Sequence, residues 1–301
     1  MIPLVTVIIP SYNHSKYVIK SIQSIIDQDY DNIELLIIDD GSTDDSVEII
    51  SKFIKGNNAF NKFHRFEFIY RENKGLCATL NEGLKWANGL YFSPFASDDI
   101  ALPHKISYLV KKIHNSEYSA VFAKMSILKG TENIYPTLSI EKNDDKVEEH
   151  FFHDLIMQKN IPAAPTALIR KSEINMIGGY PVNLKLEDWY LWLSLSNRNK
   201  KLATFSKVVT LYRDHPNNTT KNISLMHQSK LDVLEKFSDN IFYKKAVNNT
   251  YYNTARALAK EEVLRPLRYL IQSRKYGFGF LLVLIKVFTP SFIIKLRGCP
   301  R

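Results

Sequence analysis

Short apolar runs and helical periodicities alternate along the first hundred residues. Leu4–Ile9, Ile33–Ile38, Phe66–Tyr70 and Leu90–Phe95 are rich in aliphatic and aromatic residues and have the length of strands. Between them, Tyr17–Asp27, Ser46–Phe53 and Leu76–Ala87 space their apolar residues three and four apart, as helices packed on a sheet do. This alternation predicts an α/β domain built on a mostly parallel sheet. Beyond residue 100 the pattern is less regular. A helix is expected at His104–His114, a strand at Ala120–Ile127, and a mobile polar loop from Lys129 to Glu149. Helical periodicity returns at Phe151–Gln158. Gly178-Gly179-Tyr180 then breaks the chain before Leu186-Glu187-Asp188-Trp189 opens a short helix, and from Ile223 onward the pattern is helical.

Open α/β sheets bind ligands outside the carboxyl ends of their strands. The four predicted strands end in Pro10-Ser11-Tyr12-Asn13, Asp39-Asp40-Gly41-Ser42, Arg71-Glu72-Asn73 and Ser97-Asp98-Asp99. Turn chemistry accounts for part of this recurrence of polar residues, and one shared pocket accounts for all of it. Asp98-Asp99 supplies carboxylates of the kind that hold a hard divalent cation. Taken singly, each feature has a plainer reading. Asp39–Ser42 fits a turn and helix cap, Asp44 a helix start, and Asp98-Asp99 the cap of the following helix. Arg71 fits a surface ion pair, and Glu187-Asp188 fits the acid preference of a helix's first turn.

The net charge of +9 is uneven: residues 263–301 hold eight basic and no acidic side chains, leaving 32 basic and 31 acidic in the remainder. A nucleic-acid partner is therefore not expected. Cys77 and Cys299 stand far apart, outside any zinc-binding spacing, which suits a reducing compartment. Met1-Ile2-Pro3 leads directly into a strand rather than a signal peptide, so a cytoplasmic location is expected.

Val7-Ile8-Ile9-Pro10-Ser11-Tyr12-Asn13, Asp39-Asp40-Gly41-Ser42-Thr43-Asp44, Asn73-Lys74-Gly75 and Ser97-Asp98-Asp99 match the order and spacing of motifs in family 2 glycosyltransferases. Over roughly the first 215 residues the chain resembles the bacterial, non-processive members of that family. The resemblance implies the GT-A fold: residues 1–222 would form the catalytic domain, with a nucleotide-sugar half at 1–100 and an acceptor half at 101–222. A helical region would follow at 223–301. It also implies a UDP-sugar donor, inversion and a Mn²⁺ or Mg²⁺ cofactor. Pro10, Tyr12, Asn13, Asp39, Asp40, Arg71 and Lys74 would line the nucleotide site, with Asp39 facing the base. Asp98 would approach the ribose or the metal, and Asp99 would ligate the metal.

By the same resemblance Glu187-Asp188 is the family's acidic pair, Asp188 being the base and Glu187 a supporting or acceptor-contacting residue. Trp189 is expected to contact the acceptor, although with Trp192 and Leu193 it also fits a buried stripe; Trp192 is read as core. Tyr212–Asn218 resembles a segment that brings a His to the metal or diphosphate, which assigns Arg213 and His215 to phosphate and His215 also to the metal. His14, His104 and His114 receive no role. The Gln-x-x-Arg-Trp motif and membrane spans of processive synthases are absent from the sequence, so transfer of one hexose or N-acetylhexosamine is expected.

Phe278–Ile294 is apolar but interrupted by Lys286 and Pro290, too short to span a bilayer. With Arg268, Arg274, Lys275, Lys295 and Arg297 around it, residues 263–301 read as an interfacial segment on the inner membrane face. The other reading is a helix packed on the catalytic domain or a partner subunit, and an oligomer is compatible with either. Membrane docking fits a lipid-diphosphate-linked saccharide acceptor, as in synthesis of O-antigen or capsule. Two other functions compete: a catalytically inactive nucleotide-sugar scaffold, and a sugar nucleotidyltransferase, for which the sequence lacks a basic glycine-rich loop. A dehydrogenase is excluded because no GxGxxG follows the first strand.

Overall fold

The computed structural model describes residues 2–129, 146–259, 264–275 and 277–288. The chain forms two compact units, one of residues 1–155 and 160–215, the other of 156–159 and 216–301. The division falls at His215/Pro216 rather than at residue 222.

The first unit is built on a nine-stranded sheet: β1 (Val5–Ser11), β2 (Ile33–Asp39), β3 (Arg65–Tyr70), β4 (Tyr91–Pro94), β5 (Ile100–Ala101), β6 (Tyr118–Lys129), β7 (Val147–Glu149), β8 (Leu168–Arg170) and β9 (Lys201–Asp214). The spatial order is β3-β2-β1-β4-β8-β6-β9-β5, with β7 also paired to β9. Strands β3, β2, β1 and β4 run parallel. Their connections are α1 (Val18–Ile26), α2 (Ser46–Lys55) and α3 (Leu76–Trp86), followed by α4 (Lys105–Ile113), α5 (Phe152–Ile156), α6 (Lys171–Met176) and α7 (Glu187–Ser196). Val7 and Ile9 of β1 share one core with Val18, Ile22 and Ile25 of α1, all fully buried. Truncating Ile9, Ile22 or Ile25 to Ala removes contacts worth about 2–5 kcal/mol.

All four predicted parallel strands form, and every helix expected between them is present. The rest of the sheet is mixed, because β8 runs antiparallel to β4 and β6, and β5 and β7 run antiparallel to β9. Val147–Glu149, expected in a loop, is therefore a strand; residues 130–145 of that expected loop lie outside the described residues. The second unit contains α8 (Ile223–Glu235), α9 (Tyr243–Leu258), α10 (Leu264–Gln272) and α11 (Phe278–Phe288). Val283 and Val287 of α11 pack with Ala255, Ala259 and Leu270, while Leu281, Leu282 and Ile285 stay exposed. Among the described residues no helix is long and apolar enough to cross a membrane. Pro290, Lys295 and Arg297 of the expected interfacial segment lie outside the described residues.

Candidate active site

A two-residue strand sets the first part of the site. Ile100 and Ala101 of β5 pair with Leu211 and Thr210 of β9, which brings the preceding Asp98-Asp99 beside Arg213 and His215. His215 Nε2 and Asp98 Oδ2 are 2.9 Å apart. Arg213 donates its Nε–H to the Asp98 carbonyl at 2.8 Å and its backbone N–H to Asp99 Oδ1 at 2.9 Å. His14, just beyond β1, enters the same cluster. One ligand atom each of His14, Asp98 and His215 lie within 4.8 Å of one another. The His14 ring Nδ1 sits 2.7 Å from Ser97 Oγ, and Tyr17 stacks on His215 at 5.1 Å between centroids. Burial holds the His14 imidazole below its ordinary value, opposed by the Asp98 carboxylate.

The neighbouring carboxyl, Asp99, is fully buried and is not one of these three. Burial, and then repulsion from Asp98, push it up to about 7. Asp99 spends Oδ1 on the Arg213 backbone N–H, while its buried Oδ2 has no hydrogen-bond partner among the described residues. Arg213 departs from its expected place. At 1% exposure its guanidinium lies over the Tyr17 ring, 4.9 Å from the centroid, and braces the Asp98 loop instead of presenting itself to phosphate. A carboxylate oxygen with imidazole nitrogens is a donor set that fits a divalent cation.

The loops after β1, β2 and β3 are cross-linked by the acids expected to bind nucleotide. Asp39 is buried; it accepts from Ser11 Oγ at 3.0 Å, Ser42 Oγ at 2.7 Å and Ser42 N at 2.8 Å. These bonds tie the end of β1 to the loop after β2. Asp40 accepts from the backbone of Lys74 and Gly75, each at 2.8 Å, and pairs with Arg71, which also donates to Glu82. Gly41 permits this approach: its φ is +75°, and a Cβ there would lie 2.6 Å from Asn73 N. Asn13 Oδ1 accepts from Thr43 N at 2.8 Å, and Asp44 accepts from Ser15 and Ser46 at the start of α2, as a helix-start residue should. Tyr12, 48% exposed, and the Lys74 side chain remain on the surface above these loops, and Pro10 is half-buried.

The acidic pair belongs to a third segment. Gly178 and Gly179 take φ values of +85° and +82°, and a Cβ on Gly179 would lie 2.5 Å from Asn81 Oδ1. That contact fixes the next residue: Asn81 of α3 accepts from Tyr180 N at 2.8 Å and donates to Tyr180 O at 2.6 Å. The Cys77 thiol donates to Leu184 O at 3.2 Å. The start of α7 is thereby tied to the first turns of α3, which begins at the carboxyl end of β3. Glu187 and Asp188 are half-buried and, among the described residues, receive hydrogen bonds only from main-chain N–H groups of their own turn, Trp189 N reaching Asp188 Oδ1 at 2.7 Å. Burial raises both carboxyls; Glu187, further raised by Asp188, is pushed up to about 8. The buried Tyr180 hydroxyl nearby has no hydrogen-bond partner among the described residues.

Trp189 does not reach an acceptor. It is 2% exposed and donates its indole N–H to Leu155 O at 3.0 Å, so it belongs to the core together with Trp192. Sequence reading also missed His14, Ser97 and Tyr17. The one available signal was that His14 directly follows the strand-end run Pro10-Ser11-Tyr12-Asn13.

Residues 6–170 match the family described as glycosyl transferase family 2. An uncharacterized glycosyltransferase of Haemophilus influenzae is 31% identical over 83% of this chain and 74% of its own length. One from Rickettsia bellii is 29% identical over 80% of this chain, which spans only 33% of that relative. Among solved structures, the mannosyltransferase PcManGT from Pyrobaculum calidifontis, in complex with GDP-Man and Mn²⁺, superposes with a TM-score of 0.62 at 16% identity, covering 99% of this chain and 88% of its own. TarS 1–349 of S. aureus, in complex with UDP-GlcNAc, gives 0.55 at 16% identity, covering 99% and 93%. The fold is that of these GT-A structures.

Proposed function

The chain belongs to the family 2 glycosyltransferases, and from that premise we propose that it moves one hexose or N-acetylhexosamine from a UDP-sugar to a saccharide acceptor with inversion. The observation that carries this reading is the half-buried acidic pair, whose carboxyls are raised and which no side chain among the described residues pairs with. A general base works best when its proton affinity lies near the operating pH, and burial moves Asp188 in that direction. Asp188 would take the proton of the attacking acceptor hydroxyl. Glu187, protonated at neutral pH, would hold a hydrogen bond to the same acceptor.

On the donor side Tyr12, Asn13, Arg71 and Lys74 would surround the nucleotide above the wall set by Asp39 and Asp40. Asp98 and His215 would hold a divalent cation, which when bound offsets the negative charge gained by the departing diphosphate. PcManGT and TarS are each solved with a sugar nucleotide, which supports that donor class; UDP rests on the sequence resemblance. Incubation with Mn²⁺ or Mg²⁺ and a panel of nucleotide sugars should release nucleoside diphosphate in an acceptor-dependent way. Release of pyrophosphate would replace this reading with a nucleotidyltransferase, and binding without any release would leave a scaffold.

The acceptor is proposed to be lipid-diphosphate-linked and the protein to dock on the inner membrane face through α11. The exposed Leu281, Leu282 and Ile285 beside Lys286 support this. Co-flotation with anionic vesicles should be lost in Leu281→Glu/Ile285→Glu, and an unchanged bound fraction would remove the docking idea.

A further inference from the structure

We infer that His14 is a third protein ligand of the divalent cation, so that the site presents one carboxylate and two imidazoles and selects a transition-metal ion such as Mn²⁺ over Mg²⁺. The inference rests on the reading that Asp98 and His215 hold a cation. Asp98 is the one carboxylate in this cluster, and His14 joins it and His215 from the loop after β1.

Three observations converge on the His14 ring. First, its ligand atom and those of Asp98 and His215 lie within 4.8 Å of one another. The 2.9 Å between His215 Nε2 and Asp98 Oδ2 suits neighbouring ligands of a six-coordinate ion, which stand about 3 Å apart when each lies about 2.1 Å from the metal. Second, the ring is held by a hydrogen-bond partner. Nδ1 meets Ser97 Oγ at 2.7 Å; in the tautomer that donates from Nδ1 to this hydroxyl, the Nε2 lone pair is left for a metal. The His14 backbone is itself anchored, its N–H donating to Ser46 Oγ at 3.1 Å. Third, the His14 and His215 rings meet edge to face, at 5.8 Å and 82°, rather than stacking on each other.

The donor set decides the ion. Mg²⁺ takes oxygen ligands and keeps its water, whereas imidazole nitrogen favours first-row transition ions. Three protein ligands in a six-coordinate shell leave three positions for diphosphate oxygens and water.

The test uses the full chain and the metal alone, without nucleotide. Mn²⁺ binding is measured by calorimetry, bound imidazoles are counted from ¹⁴N modulation of the Mn²⁺ spin echo, and Mg²⁺ serves as competitor. The wild-type protein should show two nitrogens and bind Mn²⁺ at least about 10-fold more tightly than Mg²⁺. His14→Gln should lose one nitrogen and about 10-fold or more in Mn²⁺ affinity. Ser97→Ala, which keeps the ligand but releases its ring, should lose a smaller factor and gives an independent arm should the His14 variant not fold. If His14→Gln leaves affinity and nitrogen count unchanged, or the wild-type protein shows only one nitrogen, while Asp98→Asn and His215→Gln abolish binding, His14 is not a ligand and the two-residue reading stands. If Asp98→Asn and His215→Gln also bind Mn²⁺ like the wild type, the cation-site reading fails with it.

Discussion

The loops at the ends of β1–β3 and the first turn of α7 both carry carboxylates at the same edge of the sheet, and they use them in opposite ways. Asp39, Asp40 and Asp44 each accept two or more hydrogen bonds, at least one of them from another strand end, and Asp40 also pairs with Arg71. Among the described residues Glu187 and Asp188 accept only from their own turn, and burial raises them. Carboxylates of the first kind hold loops in shape. Those of the second kind have raised proton affinity, as groups that handle protons do. On the proposed function the difference separates a preformed donor side from a reactive acceptor side, although both groups are acidic in the sequence.

The largest expected effect on the donor side is structural. Asp40→Ala removes the partner of a guanidinium that is 12% exposed and frees two backbone N–H groups, which should cost about 3–5 kcal/mol in chemical denaturation. If Asp40→Ala left stability intact but abolished donor binding, Asp40 would be a ligand contact and the contrast between the two regions would break.

On the acceptor side the expected effect is on pH dependence. Transfer requires an ionised base, so activity should rise with pH along a limb above the usual carboxylate range. Glu187→Gln replaces an acid that is still protonated while Asp188 ionises, so that limb should stay in place. Stability runs the opposite way. The folded chain keeps a proton on Glu187 that the unfolded chain releases, so stability falls as pH rises from about 4.5 to about 8, and Glu187→Gln should flatten that decline. A limb moved to lower pH would mean that Glu187 ionises before Asp188.

The smallest effect comes from Trp189. Trp189→Phe loses the hydrogen bond to Leu155 O and should cost about 0.5–1.5 kcal/mol of stability without changing KM for the acceptor. A raised KM would return the indole to the sugar site.

The parallel half of the sheet was legible because each strand announces itself as an apolar run closed by polar residues, and the acids at those closings tie the neighbouring loops together. The mixed half was legible only at Ala120–Ile127, which lies within β6. β8 is three residues long, and the apolar run of β9 is interrupted by Ser206-Lys207 within a stretch where its register with β6 shifts. The cluster of His14, Asp98 and His215 draws on that half, since the β5–β9 pairing brings Asp98 to His215. The resemblance placed Asp98 and His215 together, but His14 carries no local pattern from which its meeting with them could be read. Trp189 was ambiguous for a related reason. Trp189, Leu191, Trp192, Leu193 and Leu195 are all buried, so α7 has no polar face against which an acceptor-contacting residue would stand out.

The proton-handling role of the acidic pair is tested most directly in Asp188→Asn, by measuring donor affinity and transfer rate on the same preparation. The account predicts that UDP binding is retained while kcat falls by roughly 10²–10⁴. A variant that transfers sugar at the wild-type rate, or one that loses UDP binding along with transfer, would contradict it.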